Sequence, residues 1–299
     1  LLGRGEFLRS YINHDPGSHN FELDNRQQLY RFIGDVFYQG QEYDWQEIPS
    51  ADEVKTYDEL LVDLPEENGG FNSIALGLME TLPKPFEGDK PRRLLEVVSA
   101  KNYTAKAKRV RGEGAMVDFQ FQVGDDWTLP GTVFTPDAPM ATTLLIADAG
   151  RKAQAERVES LLAKGRRVVA FDPFFFGESK IKSRDFLHVI LMHAAGERAL
   201  GVQASQISAV AEWAKKQYKQ PVELMSAGPR LSVAARLAAV QSNAISALKL
   251  HDPMKSLKEV IRENKGANHM PEMMCFGLLE SFDLPQIEAL IAPRPLVAE

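Results

Sequence analysis

The chain of 299 residues has one cysteine, Cys275, so no intrachain disulfide framework braces it and a packed core must hold the fold. No apolar run approaches the roughly 18 residues of a membrane span, and no signal-peptide pattern opens the sequence. A surplus of basic residues is also missing. Lys and Arg number 35 against 41 Asp and Glu, a net charge of −6, which supplies no cationic stripe for phosphates and argues against nucleic acid or an anionic membrane as partners. Neither a short-period repeat nor a low-complexity tract is visible. What is present is ordinary: 44% hydrophobic and 25% charged residues, the composition of a globular domain with a normal core. The sequence starts at Leu1 without Met and stops at Glu299 within the apolar run Leu296, Val297, Ala298, so the expectation is of a fragment whose compartment is open.

Three stretches differ in rhythm. Residues 1–45 contain a loop, His14 to Asn20, then Leu23, Gln27, Tyr30, Ile33 and Phe37 at helical spacing, which predicts one amphipathic helix ending near Gly40. Residues 46–105 read as an acidic connector with breakers at Pro49, Pro65 and Gly69-Gly70 and a short helix over 94–99. From residue 106 two β-type runs, 117–123 and 131–135, flank a turn at Gly124-Asp125-Asp126. Beyond Pro139 short apolar strands alternate with helices: strands over 142–147, 167–171, 222–225, 245–250 and 296–298, with a long helical region reaching Lys216 between the second and third. That order predicts a mostly parallel sheet covered on both faces, a three-layer α/β domain.

In such a sheet the chemistry sits at the carboxyl ends of the strands. Asp148-Ala149-Gly150-Arg151 follows a strand and precedes a helix, where Ala149 and Gly150 could present backbone N–H groups to an oxyanion or simply turn the chain. Phe171-Asp172-Pro173-Phe174-Phe175-Phe176-Gly177-Glu178-Ser179 follows the next strand, and its three phenylalanines read as packing rather than pocket lining. The loop Ser226-Ala227-Gly228-Pro229-Arg230 decides the chemistry. It stands between a strand and a helix of small residues, where a nucleophile elbow carries G-x-S-x-G. One register puts Ser226 and Arg230 on the two glycines and Gly228 on the serine, leaving no hydroxyl to acylate. The rival register makes Ser226 the nucleophile but shortens the strand and puts Leu224 where a small residue belongs. His251-Asp252-Pro253 reads as a solvated turn, with Asp252 a weak candidate acid. His188 and His193, five apart, miss the i, i+4 spacing of a metal pair and read as packing residues. His269 reads as an exposed loop residue. Neither metal nor cofactor is expected.

The strand order, the D-x-x-x-x-G-E-S loop and Ala292-Pro293-Arg294-Pro295-Leu296 together resemble the α/β-hydrolase superfamily, nearest to acetylxylan esterase-like and glucuronoyl esterase-like carbohydrate esterases, over residues 106–299. The resemblance implies a carboxylic ester hydrolase of the Ser-His-acid type acting on a small-molecule or polysaccharide ester. It makes residues 106–299 a degenerate module, incomplete at its C-terminus, and allows a periplasmic or secreted compartment. Pro16-Gly17-Ser18-His19-Asn20 with the helix after it resembles the end of the same fold, which would make His19 the general base of an upstream module, and residues 1–45 the helical tail of that module. The alternative for His19 is a simple loop residue. Alternatives for the whole are a non-catalytic pseudo-hydrolase that binds polysaccharide or packs on an active neighbour, and a prolyl-oligopeptidase-like peptidase of the same fold.

Overall fold

The computed structural model describes residues 3–299, which form two compact units divided between Asn68 and Gly69. That division falls inside the stretch expected to be a connector. The first unit is built on helix α1 (Leu23–Phe37), at the position the apolar spacing predicts. Gly34 is its one buried residue, lying under the Tyr43 ring of the returning chain. Arg26 and Tyr30 both bond Glu47, at 2.5 and 3.1 Å, Tyr43 stacks on Tyr38 at 4.9 Å, and the Arg31 guanidinium lies 4.1 Å over Trp45. Within this unit the helix therefore packs on polar and aromatic groups of the following loop and not on a sheet. Leu23 and Phe37 are exposed.

The second unit opens with helices α2 (Phe71–Met79) and α3 (Lys90–Val97). Leu94 and Val98 have no exposure and belong to the main core, so this part of the expected connector is structurally part of the α/β unit. Eight strands follow: β1 (Ala105–Arg111), β2 (Met116–Val123), β3 (Trp127–Phe134), β4 (Ala141–Ala147), β5 (Arg166–Phe171), β6 (Val222–Ala227), β7 (Ile245–His251) and β8 (Leu296–Ala298). They lie side by side in one sheet in the order β1-β2-β3-β5-β4-β6-β7-β8. The first three and the β3–β5 pair are antiparallel; β5, β4, β6, β7 and β8 run parallel. Strand β1 escapes a pattern reading because only the small Ala105 and Ala107 turn to the core, between Lys106, Lys108, Arg109 and Arg111 on an edge facing water.

Successive side chains of a strand point to opposite faces, and the two cores show it. Leu144, Ile146, Val169 and Phe171 enter the larger core, while Leu145, Val168 and Ala170 enter a smaller one. Helix α4 (Ala155–Ala163) covers the smaller core with Val158 and Leu161. On the other face lie α5 (Asp185–Ala194), α6 (Ala199–Tyr218) and α7 (Pro229–Gln241), then the short α8 (Lys258–Arg262), α9 (Leu278–Ser281) and α10 (Leu284–Ala289). Helix α6 buries fourteen of its residues, Gln203 and Gln206 among them. The Gln206 side-chain oxygen accepts from Phe174 N–H at 2.9 Å, and the Gln203 amide donates to Phe174 O at 3.0 Å. Phe174, Phe175 and Phe176 are all buried, so they are packing residues, as expected. Each contributes about 1.5–3 kcal/mol of burial.

Candidate functional site

The chain runs from β4 outward to β5 and then back across β4 to β6. Such a reversal opens a crevice beyond the carboxyl ends of the strands, the usual ligand position in an open α/β sheet. Three loops converge on it: 148–151 after β4, 172–179 after β5 and the turn at residue 228 after β6.

Gly228 is the single residue between β6 and α7, with φ +105° and ψ 157°. Only glycine occupies that region without strain. Its N–H donates to His251 O at 2.9 Å. Ser226, by contrast, is the fifth residue of β6, paired in register with Ile146 and Leu250 and without exposure, and its hydroxyl has no hydrogen-bond partner. It lies within the sheet, one residue short of the strand's end. The position after Gly228 is Pro229, which has no N–H. In an elbow the residue following the nucleophile supplies one oxyanion-hole donor, which a proline in that place cannot do.

Asp148 closes the crevice from the β4 side. Its carboxylate accepts from the backbone N–H groups of Arg230 at 2.9 Å and Leu231 at 2.8 Å. Burial pushes this carboxyl above the usual range, against the opposing pull of those N–H groups and of the Arg230 charge. The Arg230 guanidinium turns away to form two 2.6 Å bonds with Glu272, whose side chain is wholly buried, and lies 4.7 Å over the Phe176 ring. The site thus holds a carboxylate bound by helix N–H groups beside a clamped ion pair.

At the loop read as either an oxyanion position or a simple turn, the N–H groups around Gly150 are engaged within the protein. Gly150 N–H is spent on Ala147 O at 2.8 Å, and Arg151 N–H on Asp172 at 2.7 Å. Ala149 is exposed. Gly150 is required by a close approach, since a Cβ there would come 2.6 Å from Gly177 Cα. Asp172, 1% exposed, is the hub joining the two loops: it bonds Arg151 through both backbone and guanidinium and accepts from Glu178 N–H at 3.1 Å. The D-x-x-x-x-G-E-S motif is therefore legible as a structural joint. Ser179 donates to Asp172 O at 2.8 Å, consistent with its not being a nucleophile.

Beyond Pro229 lies a cavity of about 340 Å³ lined by Asp252, Met254, Lys255, Val260 and Met270, among others. Asp252 stands at its edge with φ 50°. His251 Nδ1 lies 3.6 Å from the Glu299 carboxylate. His193 packs edge-on to Phe276 at 5.4 Å, His188 is exposed near Phe174, and His269 is exposed. Among the described residues no group of three or more His, Cys, Asp or Glu could hold a metal ion, and no helix is long and apolar enough to cross a membrane.

His19 belongs to the first unit. Its loop is fixed by asparagines: Asn13 and Asn20 donate to Ser18 O at 2.9 and 2.8 Å, Asn20 accepts from Glu22 N–H at 2.8 Å, and Asn25 donates to Asn20 O at 2.8 Å. The imidazole itself is exposed, on a backbone that these bonds hold still.

With that geometry in view, the relationships of the chain can be placed. No protein-family model matches it, and no curated protein does. Among solved structures it is similar to a Bacteroides fragilis protein provisionally assigned as an acetyl xylan esterase, at 16% identity and TM-score 0.61, over 79% of this chain and 76% of that one. An acetyl xylan esterase from Paenibacillus sp. R4 aligns at 9% identity and TM-score 0.46 over 72% and 75%, and a cold-adapted esterase from an Arctic intertidal metagenomic library at 12% and 0.40 over 66% and 89%. Of these three, the first superposes closely enough to define a shared fold. The chain has an α/β-hydrolase-type fold, with its mostly parallel sheet and helices on both faces.

Proposed function

We propose that the chain belongs to a carboxylic ester hydrolase acting on carbohydrate-linked esters, in which residues 106–299 form a non-catalytic hydrolase module. One observation carries this reading. The strand-to-helix turn that would hold the nucleophile holds Gly228, without a hydroxyl, followed by Pro229, without an N–H. Covalent acyl transfer needs the first, and stabilisation of its tetrahedral intermediate draws on the second. The carbohydrate-ester part of the reading draws its support from the sequence resemblance and from the acetyl xylan esterase assignment of the B. fragilis neighbour. Catalysis then belongs to a second, upstream hydrolase module, with His19 as the base that takes the proton of its serine and returns it to the leaving alcohol.

The cavity beside Pro229, at about 340 Å³, is of small-molecule size, which favours a second role for the module, holding a sugar or supporting its active neighbour. The test is hydrolysis of nitrophenyl acetate by the purified chain. The expected rate is that of buffer alone, and Ser226→Ala leaves it there. A burst of nitrophenol that disappears in Ser226→Ala would overturn the assignment of the turn.

A further inference from the structure

The turn after β6 and the loop after β4 meet at one carboxylate. Asp148 is far from α7 in sequence, yet its two oxygens accept from Arg230 and Leu231 N–H, the second and third residues of the helix. Those are the donors that a cap side chain at the helix start satisfies. The residue in that cap position is Gly228 and has no side chain to offer; the first helical residue, Pro229, has no donor to satisfy. Asp148 thus acts as a cap delivered from another strand. It also fills space: a Cβ at position 228 would come 2.5 Å from Asp148 Cγ and 2.6 Å from Oδ2. A side chain on residue 228 and the Asp148 carboxylate in this position exclude each other.

Taking Gly228 as the elbow position, we propose that Asp148 is an internal plug of the elbow. Its carboxylate occupies the volume of the side chain absent at 228 and binds the N–H groups that α7 would otherwise turn toward the crevice. Residues 148, 228 and 229 then form one coupled set, a joint fastening β4 to α7. A serine returned at 228 alone displaces the plug, strips two N–H groups of their acceptor and still faces Pro229. The raised affinity of this carboxyl for its proton accords with a group held away from water.

The experiment is a double-mutant cycle in the full chain, with Gly228→Ala, Asp148→Ala and both together, read by urea unfolding. Backbone strain at 228 and the 2.8 Å approach to the residue 148 Cβ persist in either background, whereas the collision with the carboxylate, Cγ and Oδ2, exists only where Asp148 is present. The Gly228→Ala increase in the unfolding constant is expected to be at least about tenfold smaller once Asp148 is Ala, the size of coupling found between residues in contact. In an Asp148→Asn background, which keeps the volume, the relief is absent. Amide exchange supplies a readout that needs no change at 228: Arg230 and Leu231 exchange at least tenfold faster in Asp148→Ala while Ala234 and Ala235 keep their protection. If Gly228→Ala fails to fold, recovery by Asp148→Ala supports the plug, and without recovery the exchange result decides. A Gly228→Ala penalty equal within twofold in both backgrounds, or unchanged exchange at Arg230 and Leu231, overturns it. Either result leaves the inactivity of the module standing, since that rests on hydrolysis measured separately.

Discussion

Replacing Arg230 by Met tests the ion pair that roofs the turn. Glu272 has a wholly buried side chain and takes two 2.6 Å bonds from the guanidinium, which also rests 4.7 Å over Phe176. Methionine keeps most of the side-chain volume and removes the charge, leaving a buried carboxylate without compensation. Breaking one side of such a pair costs about 3–5 kcal/mol, and the lost cation–π contact adds roughly 0.5–2. Because the terms are not additive, about 3–5 kcal/mol is expected in all. For a unit of this size, 1 kcal/mol moves Tm by about 2–4 °C, which places the drop at roughly 6–20 °C. Urea unfolding at neutral pH measures it directly. The double variant Arg230→Met/Glu272→Met recovers most of the loss, because two apolar groups leave no charge behind. A single-variant loss below about 1 kcal/mol, or a double variant no better than Arg230→Met, would refute the account of a desolvated, mutually dependent pair.

Burial, with a smaller contribution from the Arg198 charge, holds the His193 imidazole below its ordinary range. Between that lowered value and about 6.5 the unfolded chain binds more protons than the folded one, so stability falls as pH drops through this window. The difference in unfolding free energy between wild type and His193→Gln should therefore shrink from pH 7.5 to 5; parallel profiles would count against it. In the longer protein that the His19 proposal supposes, His19→Asn should lower kcat by roughly three or more orders of magnitude with folding intact, by analogy with loss of a triad base. His14→Asn is the control, and equal, small losses at both positions would leave the loop as structure only.

The elements were legible where burial imposed a period. Strands β4 to β8 appear in the sequence within a residue or two of their observed ends, because each is a short, mainly apolar run set off from the helices by turn residues. Strand β1 was not legible: its lysines and arginines fit an exposed edge, and only pairing with β2 makes it a strand. Helix α2 was hidden by the acidic, glycine-bearing stretch before it. At the candidate site the turn at Gly228 could be read from strand and helix lengths, and so could the missing N–H of Pro229, an identity visible in the sequence. The partners could not. That Asp148 caps α7, that Glu272 clamps Arg230 and that Asp172 ties two loops together are long-range pairings with no local pattern. For the same reason the sequence left Gly150 open between an oxyanion position and a turn, since its close approach to the backbone of Gly177 has no local signal.

The two amides that α6 spends on Phe174 have a consequence for how the molecule comes apart. The loop 172–176 makes few bonds within itself, and the two peptides flanking Phe174 are satisfied from Gln203 and Gln206, one turn of helix apart. Its order thus comes from α6 at Phe174 and from the Asp172 hub at its start. An opening event that lifts α6 from the sheet takes both partners from Phe174, and the loop cannot open alone without taking Phe174 from both glutamines. Loop and helix then form one cooperative unit of exchange, in which the most aromatic stretch of the chain is shielded from water for as long as α6 stays docked.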